Sequence, residues 1–164
     1  MRIYWVDTFK KGNLGMMARP KGNDWLEDEI LKLKKFKVGV VVSLLEKHEE
    51  LTLEIAEESR LCSKHDIEFI NFSIPDRGTP KDINAFVTLI THIDSRLKDE
   101  KNVVVHCRMG IGRTTLVTAA LLLKNDFEPE DIFSYLSEIR TLTVPDTKAQ
   151  KEWIYAIKNK LKKE

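Results

Sequence analysis

Two short segments of the chain carry apolar, mostly β-branched residues at consecutive positions: residues 38–43 (VGVVVS) and 103–106 (VVVH). Consecutive apolar positions are typical of strands buried on both faces of a sheet, as in a parallel sheet covered by helices. Residues 67–72 alternate more between apolar and polar, and predict a strand nearer an edge. Residues 3–6 and 16–18 could add strands at the start of the chain.

The segments between these strands repeat apolar residues at helical spacing. Such helices are predicted over residues 26–33, 51–64, 83–97, 113–124, 132–139 and 153–161. Asp24 is predicted to cap the first helix, and Trp25 to be anchored in the core. Strands alternating with helices predict an α/β fold: one domain over residues 1–164, with a mainly parallel sheet of about four to five strands and helices on both faces.

Composition narrows the class of protein without pointing to a partner. The chain is 42% hydrophobic and 32% charged, which is typical of a globular protein, and its formal charge of +1 gives no overall bias toward nucleic acid or a membrane. No apolar run approaches the ~18 residues of a spanning helix, and charge interrupts the N-terminus too early for a secretory signal. We therefore expect a cytoplasmic protein with free thiols at Cys62 and Cys107, no metal site and no cofactor.

The nine-residue segment HCRMGIGRT, from His106 to Thr114, joins a predicted strand to a predicted helix. Its two glycines permit positive φ and close approach of the backbone to a ligand, so successive N–H groups can turn toward an anion at the helix N-terminus. The planar guanidinium of Arg113 can match two phosphate oxygens. The candidate phosphate-binding residues are Arg108, Met109, Gly110, Ile111, Gly112 and Arg113.

Cys107 precedes this loop, and the positive field expected there favours the thiolate, which can attack phosphorus. The donors that hold a phosphate would also stabilise the oxygens of the transition state. The hydroxyl of Thr114 can donate to the sulfur when a cysteinyl-phosphate breaks down. The alternative is a buried structural cysteine on a strand–helix turn, which the combined spacing disfavours.

The segment from His106 to Thr114 resembles the signature loop, C-x5-R followed by Ser or Thr, of the protein tyrosine phosphatase superfamily in its dual-specificity branch. Residues 19–26 (RPKGNDWL), 41–45 (VVSLL) and 74–78 (IPDRG) are similar to small bacterial and archaeal members, in the family's order. The resemblance implies the cysteine phosphatase fold and hydrolysis of phosphotyrosine, and also of phosphoserine and phosphothreonine, through a cysteinyl-phosphate. It also implies that His106 orients the loop by hydrogen bonding.

Asp76 lies in the segment IPDRGTP, residues 74–80, whose prolines and glycine predict a loop after the strand at 67–72. The resemblance implies that Asp76 protonates the leaving oxygen and then activates water. A turn aspartate that bonds its own backbone is the alternative. The tyrosine-specific branch usually carries Trp where this chain has Ile74, which is ordinary for the dual-specificity branch.

The segment VPDTKAQ, residues 144–150, resembles the family's late loop and helix start. There Gln150 would position the hydrolytic water. The sequence equally supports the alternative that Gln150 is simply an exposed polar residue in the first turns of a helix. Asp146 or Thr147 could simply cap the helix.

Three classes of function are compatible with the cysteine-containing loop. A phosphoester hydrolase leads, and a phosphate-binding pseudoenzyme and sulfur or arsenic chemistry are the alternatives. The expected partner is a phosphorylated protein or a small phosphoester such as an inositol phosphate, phosphoinositide or nucleotide, with the oligomeric state left open. Superfamily members that act on inositol lipids tend to carry lysines inside the loop, whereas Met109 and Ile111 favour phosphoprotein-like substrates here.

Overall fold

The computed structural model describes residues 1–127 and 129–162. Its five strands are β1 (Tyr4–Val6), β2 (Leu14–Ala18), β3 (Val38–Ser43), β4 (Glu68–Asn71) and β5 (Asn102–Cys107). They form one sheet in the order β1-β2-β5-β3-β4, in which only β1 runs antiparallel to its neighbour. The predicted mainly parallel sheet is confirmed, and β4 lies at an edge as its alternating pattern indicated.

The described helices are α1 (Leu26–Lys35), α2 (Lys47–Thr52), α3 (Glu58–Lys64), α4 (Ile83–Lys98), α5 (Gly112–Lys124), α6 (Pro129–Arg140) and α7 (Lys148–Leu161). Two apolar cores lie on opposite faces of the sheet. Val104 packs in one core with residues of α1 and α3. Its neighbours Val103 and Val105 pack in the other, with residues of α4, α5, α6 and α7. All three valines are fully buried, which explains the consecutive apolar positions of β5.

The prediction of one helix over residues 51–64 is wrong, because α2 and α3 are separate helices. Between them, Glu54 has a φ of 57°, in the left-handed region. Its carbonyl accepts a hydrogen bond from the amide of Asn23 at 2.8 Å. A Cβ at Gly22 would overlap the carbonyl oxygen of Leu53. The break therefore arises from a close backbone contact with the segment before α1, which helical periodicity does not report.

Two expectations at the start of α1 are also wrong. A short 3-10 turn, Asn23–Trp25, precedes the helix, and Asp24 lies inside that turn rather than at a cap. The turn places Trp25 at the surface, where its side chain is 62% exposed. The ammonium of Lys21 lies 5.6 Å from the centre of the indole ring.

The carboxyl ends of the parallel strands meet at one edge of the sheet. Ala18 of β2 pairs with Cys107, and Ser43 of β3 pairs with both His106 and Asn71. The segments that leave β3, β4 and β5 at this edge contain α2, residues 74–80 and residues 108–111 respectively. Ligands of open α/β sheets bind at such an edge. Within the ranges 1–127 and 129–162, no helix has both the length and the apolarity needed to cross a bilayer.

Candidate active site

The segment of residues 107–113, here called the cysteine loop, begins at the last residue of β5 and ends in the first turn of α5. Gly110 has a φ of 67°, and a Cβ there would overlap the carbonyl oxygen of Met17 on β2. Glycine is therefore required at this position by both conformation and space. The side chain of Cys107 is buried, and α5 directs its N-terminus at the loop, where a helix dipole favours an anion.

The four carbonyl groups of residues 108–111 each accept a hydrogen bond from a residue outside the loop. The Arg19 amide donates to Arg108 at 3.3 Å, and the hydroxyl of Thr115 donates to Ile111. Arg140 donates to the other two, from Nη2 to Met109 at 3.2 Å and from Nε to Gly110 at 2.8 Å. A peptide N–H points opposite to the carbonyl of the same planar unit. Fixing all four carbonyls in this way leaves the intervening N–H groups available to an anion.

Arg140, at the end of α6, was not found from the sequence. Its side chain is buried, its guanidinium carbon lies 3.9 Å from the centre of the Tyr4 ring, and Nη1 has no partner among the described residues. It lies 30 positions from Gly110, and no motif marks that pairing. An aromatic face and two loop carbonyls thus hold this cation against the cysteine loop.

Arg113 is almost fully buried and is held by a carboxylate that sequence reasoning missed. Glu49 of α2 accepts from Nη1 at 2.6 Å and from Nη2 at 2.9 Å. Nη1 also donates to the carbonyl of Ile74 at 3.0 Å. Burial acts to lower the pKa of Arg113, but its bonds to Glu49 and the nearby charges of Cys107 and Asp76 outweigh this and raise that pKa. The guanidinium is therefore a permanent, oriented cation at the loop.

The acid candidate reaches the same guanidinium from a different loop. In the segment of residues 74–80, called the acid loop, Oδ1 of Asp76 lies 3.0 Å from Nη2 of Arg113. The same oxygen accepts from the amide of Arg77 at 3.1 Å, so the local turn bond considered for this aspartate is also present. About half of the Asp76 side chain is exposed. The two contacts leave the carboxyl beside Arg113 and open to solvent.

A cavity of about 260 Å³ lies where these groups converge. Seven of the predicted site residues line it, together with Arg77 and Asp146: Asp76, Cys107, Arg108, Met109, Ile111, Gly112 and Arg113. The cavity is small for a ligand pocket, and the exposed side chain of Met109 lies at it. Gly110, Thr114 and Gln150 do not line it.

Gln150 is fully buried, so the alternative of an exposed polar residue is wrong. Its Oε1 accepts from the amide of Thr147 at 3.2 Å, and the hydroxyl of Thr147 accepts from the amide of Gln150, which forms a capping box at the start of α7. Its Nε2 donates to the carbonyl of Gly78 in the acid loop at 3.0 Å. A Cβ at Gly112 would lie 2.8 Å from Oε1. Gln150 therefore connects α7 to the acid loop and packs against the cysteine loop.

Thr114 lies in the first turn of α5 with its hydroxyl buried and without a hydrogen-bond partner among the described residues. A buried, unpaired hydroxyl costs about 1–3 kcal/mol. The hydroxyl makes no hydrogen bond to the Cys107 sulfur in this structure, and its donation to that sulfur during the breakdown of a cysteinyl-phosphate stays a prediction. His106 is also fully buried, with Nδ1 3.4 Å from the carbonyl oxygen of Cys107.

This combination of fold and loop matches a known family. Residues 15–126 match the family described as "Polymorphic toxin system, DSP-PTPase phosphatase" (Tc-R-P). The chain belongs to this DSP-PTPase family. The match runs from the second residue of β2 to beyond the end of α5 and therefore contains both the acid loop and the cysteine loop. The predicted membership of the protein tyrosine phosphatase superfamily is confirmed.

Curated relatives of this DSP-PTPase chain are similar over about half of its length. Rat cyclin-dependent kinase inhibitor 3 is 31% identical over 90 residues, which are 54% of this chain and 42% of the relative. A putative tyrosine phosphatase, 197R, of invertebrate iridescent virus 6 is 34% identical over 92 residues, which are 54% of this chain and 33% of the relative. The matched region thus spans less than half the length of these relatives.

Solved structures share the fold of this DSP-PTPase over most of the chain. Kinase associated phosphatase, in a form whose catalytic site cysteine is replaced by serine, superposes with a TM-score of 0.90 at 22% identity and covers 100% of this chain and 97% of its own. Tk-PTP in its active form has a TM-score of 0.76 at 20% identity, with 96% of both chains covered. PTPMT1 has a TM-score of 0.75 at 20% identity, with 90% of both covered. These likenesses establish the cysteine phosphatase architecture.

Proposed function

We propose that this DSP-PTPase domain hydrolyses phosphate monoesters of proteins, phosphotyrosine and also phosphoserine or phosphothreonine, through a cysteinyl-phosphate. One observation carries the proposal: the Cys107 thiol, the Arg113 guanidinium and the Asp76 carboxyl all line the same small cavity. A nucleophile, an anion-binding cation and a proton donor are the groups that this reaction needs. A phosphate-binding pseudoenzyme has no need of the acid on the second loop.

In the first step, the thiolate sulfur of Cys107 attacks phosphorus, and the bond between phosphorus and the leaving oxygen breaks. Asp76 enters as the carboxylic acid and gives its proton to that oxygen, so the product leaves as an alcohol or phenol. Arg113 and the backbone N–H groups of the cysteine loop hold the three equatorial oxygens. A phosphate that binds Arg113 would take the place that Asp76 occupies at Nη2, at 3.0 Å, in the present structure.

In the second step, water attacks phosphorus, Asp76 takes a proton from it, and the sulfur–phosphorus bond breaks to release inorganic phosphate and the thiolate. The unpaired hydroxyl of Thr114 supports a role in donating to this leaving sulfur. To orient the attacking water, Nε2 of Gln150 would have to give up its present hydrogen bond to the Gly78 carbonyl, which is 3.0 Å long, and bond the water instead. We therefore assign Gln150 a first role in holding the acid loop and a second in orienting the water.

The substrate class rests on the shape and lining of the cavity. About 260 Å³ suits a phosphate and the first part of its ester, and Met109 presents an exposed apolar side chain at the rim. That surface favours the ring or peptide of a phosphoprotein over a polyanionic headgroup. Phosphoinositides, and with them inositol phosphates, are the second candidate, because PTPMT1, which shares the fold, has been solved in complex with PI(5)P. The nucleophile requires a reduced thiol, which agrees with the expected cytoplasmic location.

Hydrolysis of an aryl phosphate tests the reaction. We expect turnover that is unchanged by a chelator and blocked by vanadate, since the chain supplies nucleophile, acid and anion donors itself. Cys107→Ser should abolish turnover and retain phosphate binding, while the matched variant Cys62→Ser should keep the wild-type rate, because Cys62 is buried on α3 away from the cavity. An inactive wild-type protein, or an active Cys107→Ser protein, would contradict the proposal.

A panel of phosphorylated compounds tests the proposed class of substrate. Phosphotyrosine, phosphoserine and phosphothreonine peptides should be turned over with a higher kcat/KM than inositol phosphates or nucleotides. A protein carrying Asp76→Ala, which lacks the proton donor and retains Cys107 and Arg113, should trap bound phosphoproteins. A preference for inositol phosphates would move the assignment to the second candidate.

A further inference from the structure

A cation–π contact joins strand β1 to the arginine that bonds the cysteine loop. The guanidinium carbon of Arg140, at the end of α6, lies 3.9 Å from the centre of the Tyr4 ring on β1. Arg140 is only 4% exposed, and Tyr4 is half-buried. The guanidinium carbon of Arg2 lies 4.7 Å from the centre of the same ring. Tyr4 and Arg140 both lie outside residues 15–126, which carry the family match.

Arg140 is held differently from the other buried arginine of the site. Arg113 has a carboxylate partner, since Glu49 bonds it through both oxygens. No carboxylate among the described side chains pairs with Arg140, and its Nη1 has no hydrogen-bond partner there. A buried cation without a counter-anion is costly. The two loop carbonyls and the negative face of the Tyr4 ring are therefore the groups that stabilise this guanidinium.

Arg140 in turn fixes two peptide units of the cysteine loop. Nε donates to the carbonyl of Gly110 at 2.8 Å, and Nη2 donates to that of Met109 at 3.2 Å. In a planar peptide unit, the N–H of the next residue points opposite to the carbonyl. The two bonds therefore set the directions of the amides of Gly110 and Ile111, which are candidate donors to phosphate oxygens. A guanidinium that changed its orientation would release both amides at once.

Strand β1 places the ring of Tyr4 against α6. Tyr4 pairs with Met16 of β2, which lies between β1 and β5 in the sheet. The segment after β1 makes a separate contact with the same helix: the hydroxyls of Thr8 and Tyr135 lie 2.9 Å apart. The first contact holds the guanidinium of Arg140, whereas the second holds the helix alone. Removing one contact at a time therefore distinguishes the orientation of the guanidinium from the docking of α6.

We propose that Tyr4 is a positioning residue for phosphate binding, because its aromatic face holds Arg140 in the orientation that directs the amides of the cysteine loop at the phosphate. Strand β1 thereby shapes the site, although it is an edge strand and does not line the catalytic cavity. The inference rests on the proposed function, in which the cysteine loop binds the phosphate of the substrate. Tyr4 acts only through Arg140.

Vanadate binding, followed by titration calorimetry, tests the proposal without relying on turnover. Tyr4→Leu keeps an apolar side chain and removes the aromatic face, so vanadate affinity should fall by about three- to tenfold. Tyr4→Phe keeps the face and removes only a hydroxyl that has no hydrogen-bond partner in the described part of the chain, so it should retain the affinity. An unchanged affinity in folded Tyr4→Leu protein, or an equal loss in Tyr4→Phe, would overturn the proposal.

Tyr135→Phe is the matched control for the docking of α6. It removes the bond to Thr8 and leaves Arg140 in place, so vanadate affinity should be unchanged even where Tm falls. A loss as large as that of Tyr4→Leu would show that any loosening of α6 weakens the site, and would refute a specific role for Tyr4.

Turnover and a double variant give two further readouts. The KM for an aryl phosphate should rise in Tyr4→Leu by about the same factor as vanadate affinity falls, with kcat nearly unchanged, because the phosphate is held in the ground state and the transition state alike. In an Arg140→Met background, Tyr4→Leu should add little further loss, and additive losses would contradict action through Arg140. A wild-type protein that binds no vanadate would overturn the proposed function as well, whereas wild-type binding that Tyr4→Leu leaves unchanged would overturn the positioning role alone.

Discussion

The contact between Glu49 and Arg113 offers the sharpest test of how this site is held together. Glu49→Gln keeps the shape of the side chain and removes its charge. In the structure, both carboxylate oxygens bond Arg113, at 2.6 and 2.9 Å, and both side chains are more than nine-tenths buried. Removing one partner of a buried pair typically costs about 3–5 kcal/mol, because the remaining charge is left uncompensated.

The expected loss lies at the lower end of that range. Arg113 keeps two other acceptors, the carbonyl of Ile74 and the carboxylate of Asp76, each at 3.0 Å. We therefore expect Glu49→Gln to lower the free energy of unfolding by about 3 kcal/mol. For a domain of this size, that loss corresponds to a fall of about 6–12 °C in Tm.

Chemical denaturation and calorimetry measure this loss, and α7 provides the control. Glu152→Gln makes the same change at an exposed ion pair with Lys148, 3.3 Å away, in which the two side chains are 61% and 87% exposed. An ion pair with an exposed partner is worth at most about 1 kcal/mol, so this variant should change stability little. Equal losses in the two variants would refute the view that the Glu49–Arg113 pair is a dominant buried interaction.

The pH dependence of stability provides an independent check on the stabilisation by Glu49. Burial acts to raise the pKa of Glu49, but the hydrogen bonds from Arg113 and from the Glu46 amide outweigh it and hold that pKa below its ordinary value of 4.5. A carboxyl with a lowered pKa stabilises the fold above its unfolded pKa and loses this contribution as the pH falls through the folded pKa. The difference in the free energy of unfolding between wild type and Glu49→Gln should therefore become smaller below about pH 4. A difference that becomes larger in acid would show that a group other than Glu49 controls the pH dependence.

Three further variants address separate parts of the site. Asp76→Asn should lower kcat by about 10²–10⁴-fold on esters with poor leaving groups and far less on activated aryl phosphates, and equal losses on both would contradict its role as acid. Arg140→Lys should weaken vanadate binding and raise KM, because lysine cannot bond two carbonyls of the cysteine loop as Arg140 bonds Gly110 and its neighbour; an unchanged vanadate affinity would argue against it. Gln150→Ala should cost about 1–2 kcal/mol in unfolding measurements through the lost cap and the lost bond to Gly78, and a variant of wild-type stability would refute that role.

Local patterns in the sequence were sufficient for the sheet and the cysteine loop. Consecutive valines predicted β3 and β5 as doubly buried strands, because each face of a parallel sheet is covered by helices. The glycines and the C-x5-R spacing predicted a turn of backbone between β5 and α5. The alternation of strands and helices predicted the α/β fold, and the resemblance of residues 106–114 to a family's signature loop implied the phosphatase superfamily; both are confirmed. The catalytic roles of Cys107, Arg113 and Asp76 stay predictions that the variants above will test.

The tertiary structure decided what surrounds those residues. Arg113 is held by Glu49, 64 positions away, and Gly110 by Arg140, 30 positions away. No periodicity or motif reports such pairings, because they depend on how separate elements pack at the carboxyl edge of the sheet. The same holds for the buried contact between Glu58 of α3 and His106 of β5, whose side chains lie 2.9 Å apart. A local pattern determines which backbone can form, whereas the environment that charges, orients or buries a reactive group is created only when distant segments meet.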